Sequence, residues 1–215
     1  MRAVAAGGPA GERWHSEGMS TLVLRPVLAD IFSPRLRVSG QARQLLLIAF
    51  GTLFITVVGQ VKIPLPGTPV PLTLGTFAVL LVGATLGPAR GAAAVASYVA
   101  LGAAGVPVFA GFGFGLGGPT TGYLLGYLPA AVLLGVAARR GWDRHAGLLV
   151  VAFAAASAVI YVGGVSWLLV LGSDLRSALM AGVVPFLVGD ALKAAAVAGL
   201  LPGAWLAVRC FEERA

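Results

Sequence analysis

Long apolar runs fill most of the chain, and short segments rich in arginine, glycine or proline separate them. With its flanks, each run approaches the roughly 20 residues that a helix needs to cross a bilayer. The pattern predicts an all-α integral membrane protein, a bundle of six transmembrane helices. The predicted spans are residues 45–61, 72–86, 89–104, 120–138, 148–171 and 185–209.

The two ends of the chain differ from this apolar middle part. Residues 1–40 are predicted to form a cytoplasmic tail, residues 41–210 the membrane domain and residues 211–215 a second cytoplasmic tail. Within the first tail, residues 26–32 fit a short amphipathic helix that could lie on the membrane surface. Arg2 is not followed by a long apolar core, so a cleaved secretory signal fits poorly. Met19 is a plausible alternative start.

Two loops are predicted beside the membrane. The first carries four prolines between Pro64 and Pro71, and proline excludes both a helix and a central strand. It should form a rigid extracellular loop that could cover a cavity. The second, residues 105–122, is rich in glycine and contains three phenylalanines. A flexible surface loop would fit the glycines, but exposed phenylalanines on such a loop are unfavourable and favour a folded lid.

The last apolar run carries Asp190 and Lys193, the only charges in the interior of the predicted spans, since Arg90 and Arg209 stand at span ends. Three residues apart on a helix, they share one face. A charge at membrane depth costs a few kcal/mol or more and almost always faces a bundle interior or a watery cavity. Two interpretations stay open. The pair could only fix helix packing, or it could bind a polar ligand, which we favour.

Composition and charge limit the classes of function that the chain could have. Hydrophobic residues make up 58% of the chain and charged residues 11%, against roughly 25% charged in soluble domains. The net charge is +7, but no basic stripe interleaved with aromatic residues points to nucleic acid. The single cysteine, Cys210, excludes an intrachain disulfide. Because His15 and His145 lie far from any cluster of ligands, we expect no metal and no cofactor.

Arginine and lysine positions predict the orientation, since positive residues collect on the cytoplasmic side. With a cytoplasmic N-terminus, and counting the flanks of the spans from Arg35 onward, nine fall inside and two, Lys62 and Arg176, fall outside. Both termini are then cytoplasmic, in a multi-pass protein of the plasma membrane. Both loops and the start of the last helix lie outside. The nine inner residues are Arg35, Arg37, Arg43, Arg90, Arg139, Arg140, Arg144, Arg209 and Arg214.

Three motifs follow one another along the chain: GQVKIPLPGTPVPLTLGTFAVLLVGATLGPARG, LGAAGVPVFAGF with GGPTTGYLLGY, and VPFLVGDALKA. In this order they resemble the BioY family. These proteins are biotin-specific substrate-capture (S) components of energy-coupling factor (ECF) transporters. The resemblance covers residues 43–205 and implies the six-helix S-component fold, with biotin bound on the extracellular side under the first loop. It also assigns Asp190 and Lys193 to the biotin site. Relatives often have GPTGGY where this chain has Thr121.

The predicted site follows from the chemistry of such a ligand. A ureido group needs an acceptor for its N–H groups and a donor for its oxygen, which an Asp/Lys pair supplies, and an apolar ring needs aromatic walls. Whether Lys193 meets the ureido oxygen or the carboxylate stays open, and Tyr98 could either bond to a helix or line the cavity. We predict no catalytic residue. The candidate ligand-binding residues are Gln60, Tyr98, Phe109, Phe112, Phe114, Thr120, Tyr123, Asp190 and Lys193.

The chain has no phosphate-binding loop, because neither Lys62 nor Lys193 stands in GxxxxGK[ST]. The resemblance therefore implies three further subunits, a coupling (T) protein and two ATP-binding proteins. Relatives bind the coupling protein through AxxxA on the first helix, where this chain keeps small residues only at Thr52 and Thr56. The chain could also act alone or as a homo-oligomer.

Two other functions are alternatives for this chain. The same bundle could capture another small vitamin. An intramembrane enzyme would need a serine close to a basic side chain, and neither histidine lies in a predicted span. We expect no enzymatic activity.

Overall fold

The structure is a computed structural model that describes residues 25–32 and 39–213. Mostly helical, it confirms the all-α class. The predictions for residues 1–18, Met19, Arg35, Arg37 and Arg214 lie outside the described residues. The helices are α1 (Leu28–Phe32), α2 (Gly40–Gly59), α3 (Gly75–Leu86), α4 (Pro88–Ala103), α5 (Thr121–Arg139), α6 (Ala146–Val170), α7 (Leu175–Gly182) and α8 (Leu187–Glu212). Short 3-10 turns, Trp142–Arg144 and Val184–Phe186, precede α6 and α8.

By their length and composition, fewer segments could cross a membrane than the six predicted from the apolar pattern. Four segments are long and apolar enough to cross a membrane: Gly40–Gly59, Thr121–Arg139, Ala146–Val170 and Leu175–Phe211, the last comprising α7, a 3-10 turn and α8. The other two predicted spans correspond to α3, with 12 residues, and α4, with 16. At about 1.5 Å per residue, these are shorter than a bilayer core about 30 Å thick.

The start of the second predicted helix is corrected by the structure. Residues 72 and 73 form a strand, β2 (Leu72–Thr73), that pairs antiparallel with β1 (Lys62–Ile63), and the helix begins only at Gly75. The Thr73 hydroxyl accepts a hydrogen bond from the Gly75 N–H at 3.2 Å. This small ribbon closes the base of the proline loop and holds it against the bundle.

Helix α5 lies at the centre of the bundle and packs against α3, α4 and α6. Its residues Ala130, Ala131 and Leu134 are fully buried. Close approach depends on glycine: a Cβ on Gly83 of α3 would stand 2.6 Å from the Ala131 carbonyl oxygen. Helices can approach so closely in lipid only where side chains are small. The apolar pattern therefore makes helices, and the small residues decide how they pack.

The short helix α1 packs against the bundle. Val27 is fully buried, and Leu28 and Ala29 are nearly so. The Asp30 carboxylate accepts hydrogen bonds from Arg90 and Arg139, each at 2.7 Å. One acidic residue thus joins α1 to the start of α4 and the end of α5.

This ion-pair cluster predicts a pH-dependent stability. Burial alone raises the pKa of Asp30, but hydrogen bonds from Arg90 and the Val27 N–H and the charges of Arg139 and Arg90 together lower it. A lowered folded-state pKa stabilises the protein above the unfolded pKa, about 3.9, and this contribution is lost as the pH falls through the folded pKa. We expect Asp30→Asn to cost about 1–3 kcal/mol of unfolding free energy at pH 7.

Thermal melts of both proteins from pH 7 down to pH 3 measure this effect. The difference between wild type and Asp30→Asn should shrink as the pH falls below about 4. An equal difference at every pH would contradict a role for the ionised carboxylate. Glu213→Gln is the matched control, because Glu213 is exposed at the end of α8 and forms no salt bridge with arginine among the described residues.

Candidate functional site

A cavity of about 300 Å³ lies inside the bundle near the start of α8. Residues of α2, α3, α4, α5, α6 and α8 line it, and the end of the proline loop, β2, the glycine-rich loop and the 3-10 turn before α8 complete its wall. Cavities for small ligands usually begin at roughly this volume, and a few convergent polar groups in an apolar wall give them specificity. The cavity fits a molecule of vitamin size.

Asp190 and Lys193 form an ion pair within this cavity. The Lys193 Nζ lies 2.9 Å from Asp190 Oδ1 and donates a second hydrogen bond, of 2.7 Å, to the Thr76 hydroxyl. The Tyr161 hydroxyl donates to Asp190 Oδ2 at 2.6 Å. Both charged residues are buried, with exposed fractions of 9% for Asp190 and 7% for Lys193. The prediction that the two side chains share one face is confirmed.

The pair keeps unused bonding capacity toward the cavity. An ammonium group has three N–H donors, and Lys193 uses two of them, on Asp190 and Thr76. Each carboxylate oxygen accepts more than one hydrogen bond. A ligand can therefore accept a hydrogen bond from the Lys193 ammonium group and donate its own N–H groups to the Asp190 carboxylate, without breaking the ion pair.

Aromatic side chains form much of the apolar wall. Tyr98 and Phe109 meet edge to face, with ring centroids 5.2 Å apart, and Tyr98 lines the cavity, one of its two expected positions. Tyr123 also lines it, and its hydroxyl donates to the Gly182 carbonyl oxygen at 2.8 Å. Phe186 packs near Tyr123, at 6.5 Å between centroids. Such walls suit a compact apolar ring system.

The glycine-rich loop is folded into a lid that hydrogen bonds to the bundle. Phe109 and Gly113 exchange two backbone hydrogen bonds, of 2.9 and 3.1 Å. Gln60, just after α2, donates from Nε2 to the Val108 carbonyl oxygen at 3.1 Å and accepts from the Phe112 N–H at 2.8 Å. Phe112 adopts a left-handed backbone, with φ 59°, which is uncommon for a bulky residue and marks a tight turn.

Thr121 makes a defined contact at the far end of this lid. Its hydroxyl accepts a hydrogen bond from the Gly117 N–H at 2.8 Å. Trp167 of α6 donates from Nε1 to the Gly118 carbonyl oxygen at 3.0 Å. Side chains from α5 and α6 thus hold the far end of the lid, as Gln60 holds its near end.

The structure brings most, but not all, of the predicted site residues to the cavity. Gln60 and Phe112 do not line it. Gln60 positions the lid, and Phe112 points outward with an exposed fraction of 72%. The predicted residues that line it are Tyr98, Phe109, Phe114, Thr120, Tyr123, Asp190 and Lys193.

Sequence reasoning missed four lining residues that matter: Thr76, Tyr127, Tyr161 and Phe186. Tyr161 could have been predicted from the sequence, because a tyrosine hydroxyl inside an apolar run needs a hydrogen-bond partner. Thr76 could not have been predicted, since the hydroxyl of a threonine in a helix can hydrogen bond to the backbone of its own helix. Within residues 25–32 and 39–213, no three His, Cys, Asp or Glu side chains cluster as metal ligands would.

A buried ion pair in an aromatic cavity beneath a folded lid, in a bundle with four segments long and apolar enough to cross a membrane, is typical of a membrane protein with a binding site for a small polar molecule. The profile of the BioY family matches residues 30–210. The chain belongs to the BioY family, whose members are transporters and not enzymes.

Individual relatives agree with this assignment. The chain is 40% identical over 158 residues to "Biotin transporter BioY" of Thermotoga maritima, covering 70% of this chain and 89% of that protein. It is 37% identical to "Probable biotin transporter BioY" of Pyrococcus horikoshii, covering 72% and 91%. Its fold is similar to the crystal structure of the S-component for biotin from an ECF-type ABC transporter. That match has a TM-score of 0.67 and 25% identity, and it covers 78% of this chain and 94% of that one.

Proposed function

We propose that the protein captures biotin in the cavity around Asp190 and Lys193 and serves as the S component of an ECF transporter. The observation that carries the proposal is the buried ion pair, 2.9 Å across, inside an aromatic cavity closed by a lid. Relatives named biotin transporters support biotin rather than another vitamin. The ligand-binding residues are the seven predicted residues of the cavity wall, with Thr76 and Tyr161 added.

The charge of the site favours the ureido end of biotin at the pair. Asp190 and Lys193 already neutralise each other, so a ligand carboxylate placed there would bring an uncompensated charge into the bundle. A ureido group is neutral and offers N–H donors for Asp190 and a carbonyl oxygen for Lys193. The ligand carboxylate would then point toward the cavity mouth, under the lid.

A binding panel tests the function. We expect purified protein to bind labelled biotin and to ignore other labelled vitamins. Biotinamide, which lacks the carboxylate charge but keeps the ureido ring, should compete within about tenfold of biotin, a difference of about 1.4 kcal/mol. Tighter binding of another vitamin would overturn the assignment of biotin. Complete failure of biotinamide to compete would place the carboxylate at the ion pair.

Transport against a gradient requires partners, on this proposal a coupling protein and two ATP-binding subunits. The structural neighbour comes from an ECF-type ABC transporter, and this sequence contains no phosphate-binding loop of its own. Helix α2 offers an apolar outer face, on which Phe50, Leu53 and Val57 are each at least 60% exposed. That face meets lipid or the coupling protein, and a second copy of the chain is the alternative occupant.

We also propose six spans with both termini in the cytoplasm. Helices α3 and α4 are short, but the strand before α3 and the loop after α4 extend their paths. Most of α3 is buried, and α4 buries one face against the bundle. Non-helical backbone at membrane depth is tolerated where it is buried in protein or lines a cavity. The nine-to-two distribution of positive residues supports the orientation.

Cysteine labelling tests this topology. In a Cys210→Ser background, because Cys210 is exposed, single cysteines replace Pro66 in the proline loop and Arg140 at the end of α5, both exposed positions. A membrane-impermeant maleimide should label the residue-66 variant in intact cells and the residue-140 variant only after permeabilisation. Labelling of both in intact cells would contradict the six-span arrangement.

A further inference from the structure

A second cavity, of about 440 Å³, lies at the other end of the bundle from Asp190 and Lys193. Arg209 follows Lys193 by sixteen residues on α8, which places it about 24 Å farther along the helix axis. The wall combines the segment before α1, the turn between α5 and α6, and the end of α8. Its residues are Arg25, Pro26, Ile31, Arg144, His145, Trp205, Val208 and Arg209.

Three arginines from distant parts of the chain converge on this cavity. Arg144 lies over the Trp205 ring, with its guanidinium carbon 4.1 Å from the ring centroid. It also contacts the Pro26 carbonyl oxygen at 3.4 Å, and its Nε is buried without a hydrogen-bond partner among the described residues. Among the described side chains, the salt bridges join Asp30 to Arg90 and Arg139 and Asp190 to Lys193. None of them involves Arg25, Arg144 or Arg209.

Asp143, an acidic residue next to this cavity, is set behind its wall. Asp143 is 1% exposed and is not part of the lining. Its Oδ2 accepts a 2.6 Å hydrogen bond from Trp205 Nε1, and burial raises the pKa of Asp143 despite that bond and the charges of Arg144 and Arg25. Asp143 therefore fixes Trp205, and the lining of the cavity carries three arginines and no acidic side chain among the described residues.

We propose that this cavity binds the phosphate headgroup of an anionic phospholipid from the cytoplasmic leaflet. Guanidinium groups pair strongly with phosphate oxygens. Ile31, Val208 and the Trp205 ring supply an apolar wall for the first acyl carbons, at the end of a helix whose apolar run stops at Arg209. Basic pockets between helix ends on the cytoplasmic side suit lipid headgroups. Positive residues that served only as topology signals would not need to meet in one cavity.

The test uses full-length protein in neutral detergent, titrated with dioleoyl phosphatidylglycerol and followed by native mass spectrometry. Arg209→Gln should weaken lipid retention about fivefold, and Arg25→Gln combined with Arg209→Gln about twentyfold or more, since each arginine contributes on the order of 1 kcal/mol at an anionic headgroup. The matched control is Arg140→Gln, an exposed arginine at the same end that does not line the cavity. It should retain lipid as wild type does.

Two further probes distinguish an anionic lipid headgroup from a zwitterionic headgroup and from free phosphate as the group that the cavity binds. Dioleoyl phosphatidylcholine, whose headgroup is zwitterionic, should be retained at least tenfold less than phosphatidylglycerol, a difference of about 1.4 kcal/mol. Inorganic phosphate at the same concentration should not raise the melting temperature. Equal retention of both lipids, equal loss in the Arg140→Gln control or stabilisation by inorganic phosphate alone would each overturn the proposal. Biotin affinity should be unchanged in all variants, so this test is independent of the proposed biotin site.

Discussion

Replacing Asp190 by asparagine, or Lys193 by methionine, is expected to lower the affinity for biotin about ten- to a hundredfold. A lost hydrogen bond to a charged group is worth roughly 1.5–3 kcal/mol. Each change also leaves the remaining charge without its partner at 2.9 Å, in a site with little access to water. Asparagine keeps the shape of the acid, and methionine keeps the apolar stem of the lysine. Equilibrium binding of labelled biotin measures the effect.

The same variants distinguish ligand binding from a purely structural role. If the pair binds biotin, affinity falls far more than the melting temperature. If it only fixes helix packing, both variants melt early and the surviving protein binds biotin normally. Asp174→Asn is the control for the chemical change, because Asp174 caps α7 outside the cavity. Wild-type affinity in both variants would show that the ligand contacts lie elsewhere, in the lid or the aromatic wall.

Gly83→Ala is expected to destabilise the bundle by about 3 kcal/mol, and the larger Gly83→Val to prevent folding. A Cβ at residue 83 would stand 2.6 Å from the Ala131 carbonyl oxygen and 3.0 Å from its Cα. Both atoms belong to the α5 backbone and cannot move aside without separating the helices. Gly91 of α4 packs on the same glycine, with its would-be Cβ 2.9 Å from the Gly83 Cα. The change therefore strains three helices at once.

Gly199→Ala is the matched control for this prediction. Gly199 also lies inside a long helix, but nothing stands within 4 Å of a Cβ there. Alanine should then raise helix stability by about 0.5–1 kcal/mol, because it removes the conformational freedom of glycine. Thermal melts and the yield of monodisperse protein measure both variants. Equal behaviour of Gly83→Ala and Gly199→Ala would refute the close crossing of α3, α4 and α5.

The main cavity shows how far a single sequence can define a binding site. Asp190 and Lys193 were identifiable because a charge inside an apolar run is costly and must be compensated. The i, i+3 spacing then placed them on one face without any knowledge of the fold. Thr76 and Tyr161 complete the ion-pair network from 117 and 29 residues away. No local pattern joins residues so distant in the chain.

The lid shows what the sequence could not determine about the site. Its composition indicated a folded loop with phenylalanines, and the structure contains one. Which phenylalanine lines the cavity depended on the backbone. Phe112, in a left-handed turn, points outward, Phe109 is buried at the cavity, and Phe114 lines the cavity although it is 66% exposed. Gln60 was predicted to contact the ligand, but in the structure it bonds to the Val108 and Phe112 backbone. Sequence neighbours do not determine such side-chain directions.

The sequence by itself determined the helical class, the family and the two charges at the centre of the proposed site, because apolar run length, motif order and the cost of a buried charge are local properties of the chain. The tertiary structure alone decided the packing of α1 on Arg90 and Arg139, the start of α3 after a short strand, and the meeting of three distant arginines around Trp205. Each of these depends on contacts between residues far apart in the chain. Such contacts are fixed by the close packing of helix backbones at small residues, which an apolar pattern does not encode.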